Sequence, residues 1–254
     1  MYRGGQPVDL LYRDDLTADD FARYRLVLVP NSFLMTPAQV DALHARLRGS
    51  GATVLWTYAP GLLRPEQTGV AGGVDLGQME RLTGFRFTQI DDPGPLLIEA
   101  TMPGDETRTF GIRSTDYFSP RFVVEADEVE TLGVWKGSSQ VAFARRPVDG
   151  WTSVYVGAPP LPAEVLRQLA ADAGAAPWTD HTAIVNASRA GAMVVCTDPG
   201  TPYGAPSGAT ERPAAGPFTV TFPFPLRDET GGEARTTHTL DLSFGDVRLF
   251  VPPA

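Results

Sequence analysis

Side chains suited to nucleophilic catalysis are few in this sequence. Cys196 is the one cysteine of the chain, and the three histidines, His44, His181 and His238, lie far apart. A cysteine nucleophile needs a sharp strand-to-helix turn and a nearby histidine base. Cys196 instead follows the apolar run Met193–Val195, without flanking glycines. We therefore predict a buried structural cysteine and no catalytic residue in this chain.

The sequence lacks the residue patterns that metal and cofactor sites require. No histidine has a second His, Cys or carboxylate at a metal-ligand spacing. No G-x-G-x-x-G follows an apolar strand, and Gly133–Ser138 lacks the glycine spacing of a phosphate-binding loop. Adjacent carboxylates occur at Asp14–Asp15, Asp19–Asp20 and Asp91–Asp92. Since neighbouring loop residues point apart into water, we expect solvated turns there, with no metal and no cofactor.

Aromatic side chains offer another kind of chemistry, because their flat faces match the apolar faces of sugar rings. Trp56 and Tyr58 stand two positions apart at the end of an apolar run, and further tryptophans occur at positions 135, 151 and 178. Packing in the core or at an interface is the alternative use of such residues. We take Trp56 and Tyr58 as candidate substrate-binding residues for a carbohydrate.

Charge and hydropathy exclude two classes of partner. The chain has 254 residues, a formal net charge of −9 and one lysine, Lys136. It therefore lacks the concentrated basic face that nucleic acid requires. Apolar runs such as Leu26–Pro30 fall far short of the ~20 residues of a membrane span, and the N-terminus has no signal-peptide pattern. We predict a cytoplasmic protein that binds neither nucleic acid nor membrane.

A strand–helix–strand unit would position the first candidate residues. Tyr24–Pro30 and Ala52–Trp56 are apolar runs typical of strands buried on both faces. Thr36 and Pro37 mark the start of a helix between them. The apolar positions of this helix, spaced by three and four residues, are Val40, Leu43 and Leu47. The order predicts right-handed strand–helix–strand geometry with parallel strands.

The rest of the sequence predicts further helices at 75–82 and 162–174, and a strand at 151–156. Between residues 85 and 146, short β-rich pieces separated by Gly, Pro and Asp favour antiparallel strands. After Trp178 only strand-like runs remain, around the loop Asp198–Pro217. We predict an α/β fold: a flavodoxin-like parallel sheet with an antiparallel β insertion over residues 1–178, then a small antiparallel all-β domain over 179–254.

Several segments resemble one known group of proteins. They include residues 5–9 (GQPVD), 24–31 (YRLVLVPN), 49–56 (GSGATVLW), 151–159 (WTSVYVGAP) and 240–250 (LDLSFGDVRLF). Together they resemble the region that follows the barrel in bacterial beta-galactosidase-like glycoside hydrolases. That region is called the trimerisation domain and has a class I glutamine-amidotransferase-like fold.

The resemblance implies a non-catalytic role. In such proteins an N-terminal (β/α)₈ barrel supplies two catalytic glutamates, whereas the later region helps subunits to associate. About three predicted helices are too few for that barrel. The resemblance thus implies an accessory region that forms a homo-oligomer or contacts a glycoside hydrolase barrel. It also implies that a first strand and helix are missing before Gly4–Gly5, and it carries no amidotransferase activity.

Two other functions remain open from the residues. The chain could be a stand-alone carbohydrate-binding protein that uses its tryptophans and tyrosines. It could also be a hydrolase with a site at the carboxyl ends of the parallel strands, near Asn31, Ser32 and Tyr58, where such folds bind ligands. The hydrolase requires a histidine base within hydrogen-bond reach of Ser32.

Overall fold

A computed structural model describes residues 5–12, 23–65, 72–101, 107–112, 117–175, 177–197 and 216–253. The chain divides into two compact units. The larger unit consists of residues 11–161, and the smaller unit consists of residues 1–10 and 162–254. The domain boundary expected at residue 178 stays a prediction.

The larger unit contains eleven described strands and two described helices. The strands are β1 (Leu26–Val29), β2 (Thr53–Thr57), β3 (Leu63–Arg64), β4 (Gly73–Val74), β5 (Phe87–Ile90), β6 (Leu97–Thr101), β7 (Thr107–Gly111), β8 (Arg121–Val124), β9 (Glu130–Trp135), β10 (Val141–Val148) and β11 (Trp151–Val156). The helices are α1 (Pro37–Leu47) and α2 (Leu76–Thr83). A seven-stranded sheet has the order β1-β2-β11-β10-β9-β6-β7, while β3 pairs with β4 and β5 pairs with β8.

The strand–helix–strand unit follows directly from the sequence pattern. Thr36 caps α1, because its Oγ1 accepts from the Gln39 amide at 3.2 Å and the Gln39 side chain accepts from the Thr36 amide at 2.9 Å. The buried face of α1 consists of Val40, Leu43 and Leu47. β2 is buried along its whole length, and it pairs in parallel with β1 and β11. The predicted helix and parallel pair are confirmed.

The predicted fold class, however, is wrong. Only β1, β2 and β11 run parallel in the seven-stranded sheet, whereas β10, β9, β6 and β7 continue it in antiparallel pairing. Across the described residues there are three helices against sixteen strands. The molecule is therefore mainly β, with a mixed sheet, rather than a flavodoxin-like or glutamine-amidotransferase-like α/β fold. The physical reason is that a parallel crossover needs a helix, whereas β6, β7, β9 and β10 pair with antiparallel neighbours.

The smaller unit combines one helix, α3 (Ala163–Asp172), with an antiparallel five-stranded sheet. The strands are β12 (Ala183–Ser188), β13 (Gly191–Cys196), β14 (Phe218–Asp228), β15 (Arg235–Leu240) and β16 (Val247–Val251), in the order β12-β13-β16-β14-β15. Its core includes Ala183, Val185, Val194, Cys196 and Phe250. The loop predicted at 198–217 lies outside the described residues up to residue 215.

None of the helices that the structure describes is long and apolar enough to cross a membrane.

Candidate functional site

The candidate site is the edge of the larger unit where the parallel strands end. Asn31 and Ser32 follow β1, and Tyr58 follows β2. Asn31 and Tyr58 both adopt left-handed backbone geometry, with φ of 51° and 60°, which is uncommon for residues other than glycine. The Asn31 amide donates to Thr57 Oγ1 at 3.1 Å. The segment at Asn31, after β1, and the segment at Tyr58, after β2, therefore lie side by side at one edge of the sheet.

Tyr58 is held at this edge by its backbone amide, its hydroxyl and its ring. Its backbone amide donates to the Val156 carbonyl at 2.9 Å, which continues the pairing of β2 with β11. Its hydroxyl donates to the Pro120 carbonyl at 2.7 Å. The half-buried ring packs edge-on against Phe33 and Phe122, with centroid distances of 6.0 and 5.8 Å. Tyr58 is thus a positioned residue that keeps part of its ring accessible.

Tyr155, on β11, holds the backbone of Tyr58 in place. Its hydroxyl donates to the Tyr58 carbonyl oxygen at 2.6 Å, and its side chain is fully buried. Burial, with a smaller contribution from the charge of Tyr58, raises the pKa of Tyr155 well above its ordinary value. Burial also raises the pKa of Tyr58. Both phenols therefore stay protonated at neutral pH and act as hydrogen-bond donors to backbone carbonyls.

Trp56 and Tyr58, the two predicted carbohydrate contacts, lie in different surroundings. Trp56 is fully buried. Its Nε1 donates to Ser153 Oγ at 3.0 Å, and that hydroxyl donates to the Thr83 carbonyl at 2.5 Å. Its indole is satisfied within the core, so a sugar at this edge would meet Tyr58 rather than Trp56. Their assignment as carbohydrate contacts stays a prediction.

The other tryptophans are also packed residues. Trp135 and Trp151 are buried in the larger unit, where Trp135 Nε1 donates to the Phe122 carbonyl at 3.0 Å. Trp178 packs edge-on against Phe222 in the smaller unit. Core packing, the alternative given for these residues, describes all three.

The described contacts of the three histidines do not include Ser32. His44 Nε2 lies 3.0 Å from the Leu82 carbonyl, and its ring packs against Trp151 at the start of β11, the opposite end of the parallel strands. His181 stacks on Phe218 with a centroid distance of 4.9 Å. His238 Nε2 lies 3.1 Å from the Leu226 carbonyl. Within the described contacts, the hydrolase arrangement at Ser32 therefore has no observed histidine base.

The remaining candidate nucleophile and acids have ordinary surroundings. Cys196 is a buried free thiol, as predicted, and burial together with Asp246 raises its pKa. Asp91 and Asp92 are exposed, and Asp91 accepts from Gln89 at 2.7 Å. The pairs at 14–15 and 19–20 lie outside the described residues. Within the described part of the chain, no group of three His, Cys, Asp or Glu side chains could hold a metal ion.

An exposed apolar row near the same edge was not predicted from the sequence. Leu63 pairs with Val74 across β3 and β4, and Leu34 forms a parallel bridge with Leu63. Residues paired in this way share one face of a sheet. Their exposed fractions are 47% for Leu34, 38% for Leu63 and 65% for Val74. We call these three residues the β3–β4 row.

The β3–β4 row is fixed from its flanks. Arg64 forms an ion pair with Asp75. Asp75 also caps α2, because its Oδ1 accepts from the Gln78 amide at 2.9 Å. Strands of two residues are too short to show an alternating pattern, so only the paired structure reveals the row. A fixed apolar row on the surface is a feature of interaction sites.

The comparisons with known proteins bear on the fold. No family model matches the sequence, and no curated protein matches it. A catalytic mutant of a GH42 beta-galactosidase from G. stearothermophilus aligns with a TM-score of 0.61 at 16% identity, over 98% of this chain and 34% of that chain. A beta-galactosidase from Bacillus circulans sp. alkalophilus gives 0.63 at 14% identity, over 99% and 36%.

A third solved structure, a beta-galactosidase from the haloarchaeon Halorubrum lacusprofundi, gives a TM-score of 0.57 at 14% identity, over 98% of this chain and 34% of that chain. The described fold is thus shared with part of these beta-galactosidases. The chain spans about a third of their length.

Proposed function

We propose that this chain is a non-catalytic accessory and assembly region of a beta-galactosidase-type glycoside hydrolase, whose catalytic barrel is not in this sequence. The observation that carries the proposal is the extent of the structural match. Almost the whole chain aligns with beta-galactosidases, while only 34 to 36% of each of their chains is used. The remaining length of such a protein has room for the residues that cleave the glycosidic bond.

The chemistry of the candidate site supports this proposal. The Tyr58 and Tyr155 hydroxyls donate to backbone carbonyls at 2.7 and 2.6 Å, so they stiffen the edge of the sheet. Glycoside hydrolysis generally uses two carboxyl groups that flank the scissile bond. The described side chains that we place at this edge are amide, hydroxyl and aromatic groups, such as those of Asn31, Ser32 and Tyr58, which suits a supporting role.

The finer proposal is that the region lies after the barrel and holds subunits together, as a homo-oligomer or against a barrel domain. The β3–β4 row supports it, because three aligned apolar side chains lose water when a second surface covers them. The bacterial origin that the resemblance implies and the cytoplasmic location that the sequence pattern predicts both remain predictions.

The test combines activity with assembly. The purified chain is incubated with an aryl β-galactoside, and its mass is measured by light scattering beside its melting transition. We expect a cooperative transition, an oligomer at high concentration and no turnover. Turnover by the chain in two preparations, each purified through a different affinity tag, would overturn the non-catalytic assignment. A mass of one chain at every concentration would overturn self-assembly alone.

A stand-alone carbohydrate-binding function is the second candidate, favoured by one observation. The half-buried Tyr58 ring lies beside the half-buried Phe33 at the strand edge. This candidate predicts saturable quenching of tryptophan fluorescence by a sugar, with the chain as a monomer. Replacing Tyr58 with Ala should then abolish the quenching, while Tyr117→Phe, at an exposed position, should leave it unchanged.

A further inference from the structure

The outer face of the sheet in the smaller unit is apolar where a water-facing sheet is normally polar. Strand register sets which residues share this face. Ile184 pairs with Val195, which pairs with Val247, and Asn186 pairs with Met193, which pairs with Leu249. Val251 continues the face two residues beyond Leu249. We call Ile184, Met193, Val195, Val247, Leu249 and Val251 the outer apolar face.

The unit's own core does not account for this face. The core lies on the opposite side of the same strands, where Val185, Val194 and Phe250 are buried. An antiparallel sheet with one wet face alternates apolar and polar residues. Here Val247 and Leu249 remain 51% and 43% exposed. β13 is therefore apolar on both sides, and all three β16 residues on the outer side are apolar although its inner side carries Arg248 beside Phe250. An apolar outer side of this kind is typical of a sheet covered on both faces.

The outer apolar face also differs from the rest of the chain in its lack of charged residues. The chain has 30 acidic and 21 basic residues. Along the three described strands β12, β13 and β16, the residues in register on this face include no charged side chain. Arg227, paired with Val251 on the neighbouring strand β14, lies at its border. An uncharged centre with a polar border is the usual composition of an interface.

We propose that the outer apolar face is the surface that contacts another domain of the same glycoside hydrolase, namely the domain that carries the catalytic barrel. The size of the face favours this occupant over a second copy. Three strands about 4.8 Å apart and five residues long cover only about 200 Å². A stable contact between free proteins needs about 800 Å² from each partner. A contact this small suits a domain that is also held elsewhere.

The length of the similar structures points to the same occupant. Beta-galactosidases that share this fold have about two thirds of their chain outside the matched part. The proposal rests on the proposed function, since it names the partner of that assembly region. It adds a second surface, on a different unit from the β3–β4 row.

Cysteine labelling tests the proposal, because the native Cys196 is buried. Leu249→Cys places a thiol on the outer apolar face, and Thr239→Cys places a matched control on the exposed part of β15. Each variant is treated with a maleimide in two forms: the isolated 254-residue chain, and the intact beta-galactosidase that contains it. Melting transitions of both variants verify the fold, and Val247→Cys replaces Leu249→Cys if that variant melts early.

We expect both thiols to react rapidly in the isolated chain. In the intact enzyme, the reaction rate of the Leu249→Cys thiol should fall by about tenfold or more, because a covering domain blocks the reagent and raises the thiol pKa. The reaction rate of the Thr239→Cys thiol should stay the same. Equal rates for Leu249→Cys in both forms would overturn the proposal. Protection that grows with concentration in the isolated chain would also overturn it, in favour of a second copy.

Failure of the proposed function gives a different result. If the isolated chain itself turns over an aryl β-galactoside, the non-catalytic assignment fails regardless of the labelling rates. If the chain is found in no larger glycoside hydrolase, both proposals fail together. If the intact enzyme assembles but the Leu249→Cys thiol reacts freely, only the outer apolar face is wrongly assigned.

Discussion

At the scale of single residues, the hydroxyl of Tyr155 shows how the site edge is supported. It donates to the Tyr58 carbonyl at 2.6 Å from a fully buried position. Removing a buried donor leaves its acceptor unsatisfied, which costs about 1–3 kcal/mol. Tyr155→Phe should therefore lower the free energy of unfolding by about 1–3 kcal/mol at neutral pH. Urea denaturation measures this, and Tyr117→Phe, 68% exposed, is the control.

The same residue predicts how stability depends on pH. Burial raises the folded-state pKa of Tyr155 above its ordinary value of 10.0, so the folded chain favours the protonated form. Its contribution is complete below about pH 10 and is lost as the pH rises toward the higher folded pKa. Melting temperature should fall from pH 9 to 11 less steeply in Tyr155→Phe than in the parent. Parallel curves for the two proteins would contradict the assignment.

Residue types in the sequence revealed part of this site. The pattern at 52–56 predicted a buried strand, which the structure confirms as β2, and Tyr58 follows the end of that strand. It did not separate Trp56 from Tyr58, because position in a strand end does not report burial. The difference arises from Ser153, 97 positions away, whose hydroxyl accepts from the Trp56 indole at 3.0 Å. Contacts over such separations are not visible in local spacing.

At the scale of elements, the start of α1 is a local signal that the structure confirms. Thr36 and Gln39 satisfy each other's backbone amides at 2.9 and 3.2 Å. Loss of such a cap costs about 1 kcal/mol. Thr36→Ala should lower the free energy of unfolding by that amount, as measured by chemical denaturation. Thr36→Ser keeps the hydroxyl and is the matched control; an equal loss in both variants would contradict the capping role.

The sheet as a whole was less predictable than its helices. Thr36–Pro37, Asp75 and Gly84 mark helix ends through contacts within a few residues, and α1 and α2 were placed correctly. The β-rich pieces between residues 85 and 146 were recognised as antiparallel strands, but they were predicted as an insertion into a parallel sheet, whereas most strands of the observed sheet are antiparallel. Pairing of β6 with both β7 and β9 depends on distant partners. Strand order and direction follow from those partners, not from local pattern.

At the scale of the whole molecule, two exposed apolar surfaces predict that the chain assembles with other proteins or domains. The larger unit carries the β3–β4 row, and the smaller unit carries the outer apolar face. Both consist of side chains that contribute little to the unit's own core, because they remain partly exposed. Two such surfaces in one chain give it two places at which apolar area can be buried against other proteins or domains.

The β3–β4 row offers apolar side chains for contact between two copies of the chain. Leu63 and Val74 are 38% and 65% exposed, so covering each one in an oligomer would contribute roughly 1 kcal/mol. Leu63→Thr with Val74→Thr should therefore weaken self-association by about thirtyfold, seen as a rightward shift of mass against concentration in light scattering. The melting temperature of the dilute chain should change little, because neither side chain belongs to the core.

A matched control for that variant lies on the edge strand β7, where Thr107→Ser with Thr109→Ser changes two exposed side chains. It should assemble like the parent. If Leu63→Thr with Val74→Thr assembles equally well, subunits meet elsewhere, and the β3–β4 row is not the contact. If the parent stays at 27.3 kDa at every concentration, the row has no second copy to bind. Its apolar surface would then be available for the domain that carries the barrel.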